Sequence, residues 1–162
     1  MCIRDSEWQG AGVLVSAGPS GAMHQAGRFV EDLAFGFDLE NFYLRVGTEP
    51  PPGQLVDAGH RFDVQIMHPR RYRLSIDRPD SFELWRREGE TWLSEGRRDS
   101  ERAARILECA IPWQSLGLRS GEVLRFVVQV VKDDVVLETC PEERTIPVEV
   151  PDADFEAKMW MV

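Results

Sequence analysis

Aromatic, guanidinium and amide side chains recur at alternate positions of several short apolar runs. Tyr43 and Arg45 interleave with Phe42, Leu44 and Val46. Asp63 and Gln65 interleave with Phe62, Val64 and Ile66, and Arg73 precedes Leu74 and Ile76. Glu83 and Trp85 flank Leu84, while Arg125 and Gln129 interleave with Leu124, Phe126, Val128 and Val130. In an extended chain alternate residues share a face, so the polar and aromatic set is expected opposite the core. Such a face suits sugar. Pyranose rings stack apolar C–H faces on Trp or Tyr, and their hydroxyls bond to planar polar groups. Trp85 and Trp92 are expected to meet across a hairpin and are the leading stacking candidates. The candidate ligand set is Trp85, Tyr43, Arg45, Arg125, Gln129 and Trp92, with His24 added from the turn after Gly21-Ala-Met23. The same alternation also describes an ordinary sheet face turned to water, and cross-strand aromatic pairs also serve packing alone.

Other chemistry is less well supported. Hydrolysis of a glycosidic bond needs two placed carboxyl groups, one in a setting that raises its pKa. Glu88/Glu90 and Glu142/Glu143 fall in expected turns without such a setting, so no catalytic residue is assigned. Asp133-Asp134 and the pair Asp152 and Asp154 offer oxygens to calcium, but no EF-hand spacing exists and no cofactor is expected. His24, His60 and His68 show no metal-ligand spacing. Met67 and His68 are neighbours on an extended run and point to opposite faces, which argues against a shared haem iron. Cys2 has no assigned role. Cys109 and Cys140 match no metal motif; a bridge between them is an alternative to the expected pair of free thiols.

The chain has 162 residues and is 43% hydrophobic, enough for one domain with its own core. A net charge of −9, from 28 acidic and 19 basic residues, disfavours nucleic acid and anionic membranes as partners. Arg70-Arg71 and Arg97-Arg98 sit near acidic residues and read as solvated faces. No apolar run approaches the ~20 residues of a membrane-spanning helix.

The elements that must position these residues are short strands. Turn signals at Asp38–Asn41, Glu88–Glu90 and Asp133-Asp134 separate alternating runs and predict three hairpins. Gly18–Gly21 and Glu49–Gly53 read as loops, and 100–107 as a loop feeding a strand that stops at Pro112. A tight turn over Trp113–Leu116 and Gly117 follows, with Trp113 plugging one end of the fold. No βαβ alternation or internal repeat appears. The predicted class is all-β, an antiparallel two-sheet sandwich of immunoglobulin-like or jelly-roll type. Leu33, Phe35, Phe37, Phe42, Leu44, Val46, Phe62, Val64, Ile66, Leu74, Ile76, Leu124, Phe126, Val128 and Val130 form its expected core.

Five segments carry a family resemblance. Glu108–Gly121, with Ile111-Pro-Trp113 and Leu116-Gly-Leu118 before the strand from Val123, resembles the end of DOMON-like sandwiches, which include family-9 carbohydrate-binding modules. Glu7–Gly12, Ser20–His24 and Ala34–Arg45, with Asp154–Val162, resemble the glucodextranase-like C-terminal domain of family-57 glycoside hydrolases, the amylopullulanase-like and α-amylase-like group. That resemblance covers Glu7 to Val162. It implies a non-catalytic accessory module of an α-glucan-active enzyme, with α-glucan or maltooligosaccharide and an upstream catalytic domain as partners. The catalytic barrel has no counterpart here, so its carboxylates are carried over to no residue. Met1–Ser6 resembles a translated sequencing-adapter remnant, so 1–6 is expected to be an artefactual or disordered tail, 7–162 one domain, and the natural N-terminus to lie upstream. The compartment stays open, the cytoplasm slightly favoured. The alternative to sugar binding is a domain that braces the catalytic barrel through an apolar patch around Trp8, Met23 and Trp160.

Overall fold

The computed structural model describes residues 12–15, 28–99 and 105–154, the first of these segments by its backbone alone. Trp8, Met23, His24, Trp160 and the Gly18–Gly21 loop, all singled out above, lie outside the described residues. The expected tail at 1–6 and most of the loop from Ser100 lie outside them as well.

Alternation of apolar and polar residues makes strands wherever one face can be buried. The described strands are β1 (Gly12–Val15), β2 (Val30–Phe37), β3 (Asn41–Thr48), β4 (His60–His68), β5 (Tyr72–Arg78) and β6 (Ser81–Glu88). Next come β7 (Thr91–Asp99), β8 (Leu107–Pro112), β9 (Val123–Lys132), β10 (Val135–Cys140) and β11 (Ile146–Glu149). They form two antiparallel sheets. The smaller has the order β1-β2-β3-β8; the larger runs β10-β9-β4-β5-β6-β7, with β11 also paired to β9. The chain changes sheet between β3 and β4, between β7 and β8, and between β8 and β9.

All three predicted hairpins form. Asp133 and Asp134 take φ of 51° and 60°, the left-handed pair that a two-residue hairpin needs. Asp38 Oδ1 accepts from the Glu40 and Asn41 amides, closing the first turn locally. Strand β8 ends at Pro112 as expected, and a 3-10 helix, Trp113–Leu116, ends on Gly117 at φ 61°. The Glu49–Gly53 segment differs from expectation. Pro52 opens a short helix, α1 (Pro52–Asp57), because a proline at the first helical position is already set to helical φ and gives up no needed donor. Leu55 and Val56 of α1 are buried.

The two inner faces share one core. The expected core residues are all buried except Phe35 and Phe37, which pack half-exposed against it. Phe126 of the larger sheet meets Phe42 and Phe35 of the smaller edge to face, with ring centroids at 5.2 and 5.8 Å. Trp113 closes this end, 5.9 Å from Phe42 and 4% exposed. Its indole N–H donates to the Asp38 carbonyl at 2.9 Å, and its amide donates to Glu40. The plug is thus bonded to the first hairpin turn. Truncating it removes a large buried ring and leaves a cavity, so Trp113→Ala should lower unfolding free energy by about 3–5 kcal/mol. Denaturant unfolding followed by circular dichroism measures this.

Cys109 and Cys140 are buried free thiols, one in each sheet. Burial, aided by the Glu108 carboxylate, pushes the Cys109 thiol up to about 12. The folded thiol therefore keeps its proton over the range, from 9.0 to about 12, in which the unfolded thiol loses it. Stability should fall as pH rises through that window, because the unfolded state binds fewer protons. Cys109→Ala should cost about 1 kcal/mol at neutral pH and flatten the alkaline limb relative to wild type. Urea midpoints between pH 7 and 11 test both statements.

Candidate functional site

Alternation places the candidate residues on outer faces, but on two of them. Tyr43 and Arg45 lie on β3 in the smaller sheet, and Trp85, Trp92, Arg125 and Gln129 lie in the larger one. Each set points away from the shared core, so the two sets are on opposite sides of the sandwich. The expected grouping of Trp85 with Arg45 and Arg125 therefore does not assemble as one site. Strand parity reports which side of its own sheet a residue takes; only the topology says which sheet that is.

On the smaller sheet, Tyr43 is tied to the first hairpin. Its hydroxyl donates to Asp38 Oδ2 at 2.5 Å and accepts from Asn41 Nδ2 at 3.3 Å. Arg45 stands opposite Glu108 of β8 in the register. Both surroundings are those of structural residues holding a strand pair and a turn.

On the larger sheet, register aligns rows of outward side chains across strands. One row runs Val127, Gln65, Arg73, Trp85 and Ser94 from β9 to β7. The next runs Thr139, Gln129, Asp63, Ser75, Glu83 and Arg97. Amide side chains link the rows at one end: Gln65 Nε2 donates to Gln129 Oε1 at 3.2 Å, and Gln129 Nε2 donates to Thr139 Oγ1 at 3.3 Å. At the other end Trp85 and Trp92 share a cation. The Arg73 guanidinium lies 4.8 Å from the Trp92 ring centre and 5.4 Å from that of Trp85, and Arg87 is 5.9 Å from Trp92. Arg73 Nε is buried and has no hydrogen-bond partner among the described residues; the electron-rich indole faces lie against the charge instead. Trp85 and Trp92 thus meet through Arg73, a role for that arginine that alternation alone does not reveal. Arg125 is exposed and pairs in register with His68, away from the tryptophans.

The middle of this face is closed. Asp63, expected outward among the polar residues, is 2% exposed. Its carboxylate accepts from Arg61 Nε at 3.0 Å, Arg61 Nη2 at 3.1 Å and Ser75 Oγ at 2.8 Å. Val127 and Val131 are also buried. The accessible part of the face is the β6–β7 end, where Trp85 and Trp92 are half-exposed and Ser94 Oγ donates to Glu83 Oε1 at 2.7 Å. Asp63→Ala strands the Ser75 hydroxyl and one side of Arg61. Arg61 still reaches Asp134 at 3.2 Å, so the loss should be about 1–3 kcal/mol rather than that of a fully buried pair. Chemical denaturation of the variant reads this directly.

The remaining candidates are simply located. Glu88, Glu90 and Glu142 have exposed side chains facing Arg86, Arg87 and Arg28. Asp134 pairs with Arg61, and Asp152 accepts from the Asp154 amide. Among the described residues no three His, Cys, Asp or Glu side chains gather where a metal would bind. Met67 and His68 are both exposed at a register shift near the end of β4. Comparison of the chain with protein-family models, curated proteins and solved structures gives no match.

Proposed function

We propose that the chain is a non-catalytic accessory module that binds α-glucan or maltooligosaccharide on the outer face of its larger sheet, beside a catalytic domain of the same parent enzyme. The supporting observation is the strip of planar groups across that face. Trp92 and Trp85 stand at its accessible end, followed by Arg73, Gln65, Gln129 and Thr139. The accessible end, from Trp92 on β7 to Arg73 on β5, spans about 10 Å at a strand spacing of about 4.8 Å. Indole faces offer stacking, and amide and guanidinium edges offer bonds to hydroxyls. A ring stack contributes about 1 kcal/mol and each hydrogen bond a similar amount. Less the cost of association, this leaves a weak site with Kd of roughly 0.1–1 mM.

A bracing role is the second reading. Val135, Val136 and Leu137 on β10 are 58%, 48% and 45% exposed, an apolar run on an edge strand that suits contact with another domain.

Maltooligosaccharide titration followed by tryptophan fluorescence or NMR shifts separates the two. Saturable change that Trp85→Ala or Trp92→Ala reduces at least about tenfold, and that Tyr43→Phe leaves intact, supports sugar binding at this end of the larger sheet. Saturable change lost with Tyr43→Phe moves the site to the smaller sheet. No response at millimolar glucan favours the bracing role.

A further inference from the structure

Two arginine doublets stand at the open end of the β5–β6 hairpin, Arg70-Arg71 just before β5 and Arg86-Arg87 near the end of β6. Strand pairing brings them together. Tyr72 is the register partner of Arg86, and the Arg87 amide donates to the Arg71 carbonyl at 2.9 Å. Arg70, Arg71, Arg86 and Arg87, with Gly89 of the next turn, line a cleft of about 520 Å³. Like charges on neighbouring strands repel, and a chain of net charge −9 has no shortage of carboxylates to separate them. Arg70 and Arg71 are both exposed, and among the described residues neither forms an ion pair. Arg86 holds Glu95 at 2.8 Å and Glu88 at 3.5 Å, and Arg87 holds Glu90 at 3.5 Å. The cleft therefore has two committed guanidinium groups and two uncommitted ones. Gly117 leaves room for the Arg70 guanidinium: a Cβ there would come within 2.9 Å of Arg70 Nη1.

We propose that this cleft binds a phosphate group, as a phosphate monoester of a small polar molecule. A guanidinium presents a rigid fork of donors that matches tetrahedral oxyanions, and several such forks around one cleft suit a dianion better than a single carboxylate. The existing pairs of Arg86 and Arg87 are exposed surface pairs, which an incoming anion displaces at small cost. The cleft exceeds a phosphate in volume, leaving space for the group that carries it. This site does not depend on the glucan reading. It lies where the β6–β7 hairpin extends, and no tryptophan lines it.

The test is titration of the whole chain with inorganic phosphate and with glucose 1-phosphate at constant ionic strength. Amide and arginine side-chain NMR signals are the readout. The expected result is saturation in the millimolar range or tighter, with shifts at Gly89, Arg70, Arg71, Arg86 and Arg87. Arg71→Gln should weaken binding about tenfold, and Arg70→Gln together with Arg71→Gln about a hundredfold. Both residues are exposed, so thermal unfolding should be unchanged, and Trp85→Ala should leave phosphate affinity intact. Linear, unsaturated shifts that chloride reproduces at the same ionic strength would overturn the proposal. So would saturation by glucuronate but not phosphate, or binding that survives the double arginine variant. Glucose 1-phosphate binding lost on Trp85→Ala, with inorganic phosphate inert, would instead assign the response to the sugar face.

Discussion

Everything in this sandwich depends on one inter-sheet contact, the packing of Phe126 against Phe42 beneath the Trp113 lid. Two sheets hold together only where their inner faces interdigitate, since each sheet leaves one apolar face exposed until the other covers it. Phe42 sits at the start of β3, immediately after the first hairpin turn, and Trp113 begins the crossover from the smaller sheet to the larger. The same two residues therefore order the hairpin, seal the core edge and set the path by which β8 leads into β9. The Trp113 bonds to the Asp38 and Glu40 carbonyls lock that path to the turn.

Once the sheets are fixed this way, their outer faces become different surfaces. The smaller sheet spends Tyr43 on its own hairpin turn and sets Arg45 opposite Glu108. The larger sheet buries a carboxylate, Asp63, under Arg61 and Ser75, and collects Trp85 and Trp92 around Arg73. Buried Asp63 is tolerable because its side-chain oxygens accept three bonds from Arg61 and Ser75. Arg73 is tolerable because two indole rings take the place of hydrogen-bond acceptors. These two arrangements close the middle of the face and leave the β6–β7 end as its working surface.

Charge follows the same division. The acidic excess of the chain is a global property and says little about any one place. Strand pairing overrides it locally, drawing Arg71 beside Arg87 and clustering guanidinium groups on a protein that is negative overall. A local reversal of sign on an opposite background is what gives an anion a defined place to bind.

Strand content, the three hairpins, the stop at Pro112, the Trp113 plug and the inward residues were all determined by the sequence itself. Apart from the Trp113 plug, which is bonded to the distant turn at Asp38 and Glu40, each depends on interactions within a few residues: period-two alternation, left-handed φ at Asp133-Asp134, an aspartate bonding its own turn, a proline without a donor. The helix after Pro51 was also local, and its signal was a proline at the first helical position rather than the loop that Pro-Pro-Pro suggested. What only the tertiary structure decided was which outward residues are neighbours. Tyr43 and Trp85 have the same parity and the same amphipathic setting, and nothing in either segment says that they belong to different sheets. Asp63 reads like any outward acid until Arg61 and Ser75 close over it. The arginine doublets are visible as pairs, but their meeting depends on the register across the β5–β6 turn. Pairing between strands is a long-range property, set by how two sheets bury their apolar faces together, and no single segment carries it.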